Sequence, residues 1–119
     1  MQCFAFPPSS SPPCSLTLTV AAAAAAPSKL VGTVGPGFTI TLKRFNRPLH
    51  TLKAGQYSNL VSDKSNIHNF RLRGPGVNKQ ITTVGYVGTK TVIVTLRKGR
   101  YTFVCDPHVT TMHGSFMVT

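Results

Sequence analysis

Residues 88–119 read "GTKTVIVTLRKGRYTFVCDPHVTTMHGSFMVT", and the alternation in this stretch decides the fold class. Val92, Val94 and Leu96 fall on one face of an extended segment, with Ile and Thr between them. Past the turn at "KGR", Tyr101, Phe103 and Cys105 repeat the pattern, because alternate residues of a strand share a face. That strand stops at Asp106–Pro107, since proline cannot continue a hydrogen-bonded ladder. A loop follows, and Gly114 opens a last short strand in "GSFMVT".

The same period continues upstream. In "FTITLKR", Phe38, Ile40 and Leu42 share a face opposite Thr39 and Thr41. Turn formers separate such runs: "GPG" at Gly35–Gly37 and again at Gly74–Gly76, then "AGQ", "VGT" and "KGR". The two "GPG" turns have unrelated flanks, so there is no internal repeat, and nothing after Leu30 reads as a helix longer than a turn. Seven or eight short strands in about 90 residues predict an all-β fold, a Greek-key antiparallel β-sandwich.

Charge divides the chain of 119 residues in two. Residues 1–28 carry no charged side chain, whereas all 13 Lys and Arg and all 4 His lie from Lys29 onward. Residues 1–28 are therefore expected to be a signal peptide or a disordered Pro/Ser/Ala-rich leader, and 29–119 a single domain. "LTLTVAAAAAA" is an apolar run ending in small residues, as signal cleavage requires, although no Lys or Arg precedes it. It falls short of the roughly 20 apolar residues of a membrane-spanning helix, so the mature chain is expected to lack a transmembrane segment. The expected setting is exported: secreted, periplasmic or at the cell surface. Loss of the leader removes Cys3 and Cys14 and leaves Cys105 alone, without a partner for an internal disulfide. A lone thiol in an oxidising compartment is a liability unless it is buried or occupied, and a metal would occupy it.

The net charge is +11, with no Glu and only Asp63 and Asp106 as side-chain acids. No run of Lys and Arg exceeds two residues, the pattern of a solubilising surface spread over the domain. Any electrostatic docking partner is then acidic. Tyr57, Tyr86, Tyr101 and seven Phe serve a core, and no spacing among them suggests a base-stacking platform, so no nucleic acid is expected. The domain is expected to be a monomer. His50 reads as a turn or surface residue and Met117 as core.

Between Cys105 and His113 the chain gathers a thiol, two imidazoles and a thioether. If Tyr101 and Phe103 face the core, so does Cys105, at the rim of the sandwich, with His108 and Met112 on the loop folding over it. Thiolate, imidazole and thioether form a soft donor set that suits copper rather than magnesium or calcium. A second imidazole must come from elsewhere, and His68 is the best candidate, alternating with Phe70 and Leu72 on a strand.

On "HNFRLRGPGV", "GTKTVIVTLRKGRYTFVC" and "CDPHVTTMHGSFMV", residues 29–119 resemble the cupredoxins, the small plastocyanin-like blue-copper proteins of bacteria. The resemblance implies a cupredoxin-like sandwich holding one copper ion and exchanging electrons with a redox partner protein. It further implies His68, Cys105 and His108 as strong ligands, Met112 as a weak axial ligand, and Asn69 as a brace of the Cys loop. Three residues separate His108 from Met112, where plastocyanins have four and amicyanin-like proteins two, and the four-residue slot holds His113. Met112 is the expected axial ligand and His113 the alternative.

The chemistry expected is electron carriage between Cu(I) and Cu(II), not catalysis, because these ligands leave no open position for a substrate. Copper delivery or buffering uses the same ligands and stays open. Zinc could instead take Cys105, His68, His108 and His113. A Cys–His nucleophile lacks an orienting carboxylate other than Asp63 or Asp106 and a cleft to serve. Without a metal, the domain would be a sandwich binding polyanions through its basic surface.

Overall fold

The computed structural model describes residues 15–20 and 26–119; Cys3, Cys14 and most of the expected leader lie outside the described residues. Ten strands follow in order: β1 (Ser28–Val34), β2 (Ile40–Arg44), β3 (Arg47–Pro48), β4 (Thr51–Leu52), β5 (Gly55–Asp63), β6 (Phe70–Gly74), β7 (Val77–Thr82), β8 (Gly88–Leu96), β9 (Gly99–Val104) and β10 (His113–Val118). Two of them, β3 and β4, are two-residue edge pieces, which leaves eight strands of ordinary length. A single 3-10 turn, Asp106–His108, is the only helical element among the described residues. None of these elements is a helix long and apolar enough to cross a membrane.

The strands form two five-stranded sheets, ordered β3-β2-β1-β5-β8 and β4-β10-β9-β6-β7. Both are mixed rather than purely antiparallel: β1 pairs parallel with β5, and β4 parallel with β10. A hairpin can join only antiparallel strands, so each parallel pair requires a longer connection, here crossing from one sheet to the other. Alternation along a sequence specifies which residues share a face but not the direction of the neighbouring strand, so these pairs were not legible in advance.

The inner faces carry the alternating residues. Leu30, Leu42, Val61, Leu72, Leu96 and Val118 are buried, and two aromatic pairs cross the interior of the second sheet. Phe70 stacks on Phe103 at 5.9 Å between ring centroids, and Tyr101 on Phe116 at 5.5 Å. Buried Tyr101 also satisfies its hydroxyl, which donates to the Pro75 carbonyl at 2.7 Å and accepts the Arg97 N–H at 2.9 Å.

Two readings of the periodicity do not hold. Phe116 and Val118 are the core residues of β10, so Met117, expected in the core, faces outward. Phe38, expected beside Ile40 and Leu42, precedes β2 and is 56% exposed. Period two has no meaning beyond the end of a strand, and β2 begins only at Ile40. His50 is exposed, as expected.

Gly74 and Gly114 show how closely the rings pack. A Cβ on Gly74 would run into the Tyr101 ring, and one on Gly114 into the Phe103 ring. Both glycines lie in strands, where the absent side chain makes room for an aromatic face on the neighbouring strand. Gly74→Ala is therefore expected to destabilise the domain by about 1–3 kcal/mol, read as a lower urea midpoint with an unchanged slope.

Candidate metal centre

Three donors converge at one end of the sandwich. His68 lies in the connection between β5 and β6, two residues ahead of β6 rather than within a strand as its alternation suggested. Cys105 directly follows β9, and His108 ends the 3-10 turn. Cys105 and His68 are fully buried; His108 is half-buried.

The 105–112 loop closes on itself. The Cys105 N–H donates to the Met112 carbonyl at 3.1 Å, and the Cys105 carbonyl accepts the His108 N–H at 3.0 Å. The Met112 N–H returns to the His108 carbonyl at 2.7 Å. Pro107 enters this turn at no cost, because its position needs no N–H donor.

The His68 ring has a determinate tautomer. Its Nε2 lies 3.0 Å from the Gly37 carbonyl, which can only accept, so Nε2 carries the proton and Nδ1 presents a lone pair. That Nδ1 is 3.1 Å from His108 Nδ1 and 3.7 Å from Cys105 Sγ, while His108 Nδ1 is 3.5 Å from the same sulfur. A triangle with these sides has all three corners about 2.0 Å from one centre. Bonds from zinc to imidazole measure about 2.0–2.1 Å and to thiolate about 2.3 Å, so the nitrogens fit a common ion and the sulfur has only tenths of an ångström to yield. Buried lone pairs facing one another are costly unless a cation or a proton sits between them. The donor set thus fits a metal of the soft, nitrogen- and sulfur-binding kind.

Met112 is fully buried and packs in the same core cluster as Cys105. His113 opens β10 on the outward face, exposed, with its Nδ1 donating to the Val109 carbonyl at 2.8 Å. The structure therefore separates His113 from the donors, against both its use as the axial alternative and the four-ligand zinc set.

No protein-family sequence model matches the chain, and no curated protein sequence does. Solved structures do resemble it. Reduced rusticyanin is 21% identical, over 76% of this chain and 78% of that one, with a TM-score of 0.57. Rusticyanin from Thiobacillus ferrooxidans is 20% identical over 76% of each chain, at 0.52. A methionine-to-glutamine variant of amicyanin with Cu(I) is 14% identical, over 77% of this chain and 83% of that one, at 0.51. The chain has the cupredoxin fold.

In this cupredoxin sandwich the donors come from two separate segments, and Asn69 joins them. Its Oδ1 accepts the Asp106 N–H at 2.7 Å, while its Nδ2 donates to Asp106 Oδ2 at 2.8 Å and Gln80 Oε1 at 3.0 Å. Asn69 is fully buried beside His68, so its end of each bond is out of water, while Asp106 and Gln80 lie nearer the surface. Asp106 receives Arg71 Nε at 2.8 Å as well, with Arg73 at 3.6 Å. Burial pushes the Asp106 carboxyl up, but hydrogen bonds from Arg71 and Asn69 and the charges of Arg71 and Arg73 outweigh it and hold it below the usual carboxylate value. This carboxylate is taken up by the brace and orients neither imidazole. Asp63 is buried and accepts the Ser65 N–H at 3.1 Å. A Cys–His nucleophile therefore has no carboxylate behind its base.

The segment before β2 supplies what the sequence did not reveal. Besides the Gly37 carbonyl, it brings Phe38, whose ring meets His68 edge-on at 5.2 Å and His108 at 4.9 Å. Gly35 allows this approach: at φ +74, with Ser65 2.9 Å from where its Cβ would stand, only glycine fits without strain. "GPG" signalled a turn; nothing in it could signal which side chain the turn would face. Removing the brace should tell: Asn69→Ala leaves the Asp106 N–H without its partner. The expected loss is about 1–3 kcal/mol in chemical unfolding of the metal-free protein.

Proposed function

We propose that this protein is a copper-binding electron carrier, with one ion held by His68, Cys105 and His108 and a weak axial contact from Met112. The observation that carries the reading is the donor triangle, which already has the dimensions of a filled site. Copper so held would exchange one electron between its Cu(I) and Cu(II) states. Two imidazoles, a thiolate and a long thioether compromise between the preferences of both states, and a preset triangle leaves little to rearrange. The similar structures include one described as that of a copper protein, rusticyanin, and one of amicyanin with Cu(I).

The surroundings divide the labour. Asn69 and the closed 105–112 loop hold the thiol and the His108 ring in place. The Gly37 carbonyl keeps the proton of His68 on the far nitrogen. Cys105, His68 and Met112 are sealed from water, which leaves no place for a substrate and protects the thiol from oxidation. Only His108 among the three donors reaches the surface, so its ring edge, with Phe38 against it, is the route by which an electron enters or leaves. The uncharged run ahead of β1 supports an exported setting, and a redox partner protein completes the cycle.

One equivalent of copper(II) added to reduced, metal-free protein tests this directly. An intense thiolate-to-copper band in the visible, with narrow copper hyperfine splitting in the paramagnetic resonance spectrum, is expected, and Cys105→Ser should abolish both. His113→Ala should leave the spectrum unchanged, while Met112→Ala should shift it. An ordinary tetragonal copper spectrum, indifferent to Cys105→Ser, would show that the donors do not act together. Reversible cycling with copper retained in both states distinguishes a carrier from a delivery protein, which must give the ion up to a partner.

A further inference from the structure

Assembly of the second sheet sets some of the cations side by side. In the second sheet, residues directly opposite each other share a face, and the register puts Arg73 across from Thr102 and Thr102 across from Ser115. The adjoining rows on that outward face are Arg71–Val104–His113 and Arg100–Met117. Arg73, Arg100, Thr102, Val104, His113 and Ser115 line a recess of about 550 Å³ there. Its floor residue, Val104, is bonded directly to Cys105.

One carboxylate, that of Asp106, reaches the edge of this recess, and it is shared. Of the chain's two side-chain acids, Asp63 is buried, and Asp106 is committed to Arg71 at 2.8 Å and lies 3.6 Å from Arg73. Arg73 is 55% exposed, and Arg100 has no carboxylate partner among the described residues. Two guanidinium groups and two hydroxyls, those of Thr102 and Ser115, set cationic and polar donors around the apolar Val104 and Val109. The planar fork of a guanidinium matches a carboxylate through paired hydrogen bonds.

We propose that this recess is a docking site for an acidic segment of a partner protein, taking Asp or Glu side chains on Arg73 and Arg100. Charge complementarity argues for it: +11 on the chain, with no free side-chain carboxylate on the outward face, leaves the anionic groups to the partner. No Phe, Tyr or Trp lines the recess to stack a nucleobase, and the one ring there, His113, is tied to the Val109 carbonyl at 2.8 Å, which favours carboxylates over nucleic acid. Its use in electron transfer rests on the reading above, since docking here sets a partner one residue from Cys105; the binding itself does not.

Binding of a labelled hexaglutamate peptide to the metal-free and the copper-loaded protein, followed by fluorescence anisotropy at low salt, tests the site. Arg73→Gln/Arg100→Gln should weaken binding about tenfold or more, and Arg100→Gln alone, which leaves the Asp106 pairs intact, by severalfold. Lys29→Gln/Lys90→Gln, which removes the same charge from exposed positions on the other sheet, should change it less than about twofold, and added salt should weaken binding throughout. An equal loss in both double variants, or no binding by the native chain, would overturn the site. So would stronger, Arg73- and Arg100-dependent binding of a single-stranded oligonucleotide than of the peptide. The peptide measurement needs no copper, so a missing blue spectrum and a missing docking site are separate results.

Discussion

Asn69 fastens together, at the rim of the sandwich, the two parts of the chain that carry the donors. The His68 segment approaches β6 from outside the sheet, and the Cys105 loop leaves β9 on the neighbouring strand. Hydrogen bonds from the backbone ladder end where the strands end, at Phe70 and Val104. Past that point, the bonds between Asn69 and both the backbone and side chain of Asp106 continue the association two positions beyond the last ladder pair, Arg71–Val104. They do so from a fully buried amide, and they hold the Cys105 loop against the His68 segment.

The brace works only because the sheets behind it are rigid. Stacked Phe70 and Phe103 lie on the very strands that deliver His68 and Cys105, so the aromatic core and the donor geometry share one frame. Close packing leaves such strands few alternative positions, and the cost of shifting one is spread over many contacts. The loop before β2 then approaches from the first sheet, adding the Gly37 carbonyl and the Phe38 ring. Elements of both layers thus converge on His68 and His108, and a site of this kind needs the whole sandwich.

Asp106 connects this centre to the outer face. It neighbours Cys105 in the chain, bonds Asn69 behind the donors, and pairs with Arg71 and Arg73 on the exposed side of the sheet. One carboxylate therefore answers both a buried amide and part of a large positive charge. The balance is local: the remaining cations on that face stay uncompensated, and the recess between Arg73 and Arg100 is the result.

Alternation in Gly88–Val104 determined by itself that the chain folds as strands, and the spacing of Cys105, His108 and Met112 determined that soft donors gather at one strand end. Both are local properties, carried by residues close in the chain. The parallel pairing of β1 with β5 was decided only in three dimensions, because side-chain period is blind to strand direction. Likewise, the sequence left His113 as the alternative to Met112 and put Met117 in the core, yet β10 turns both outward, since a strand offers only every second residue to the core. The Gly37 carbonyl, the Phe38 ring and the Arg73–Arg100 recess belong to the tertiary structure alone. A backbone acceptor has no residue signature, and side chains distant in the chain become neighbours only when the sheet register sets them side by side.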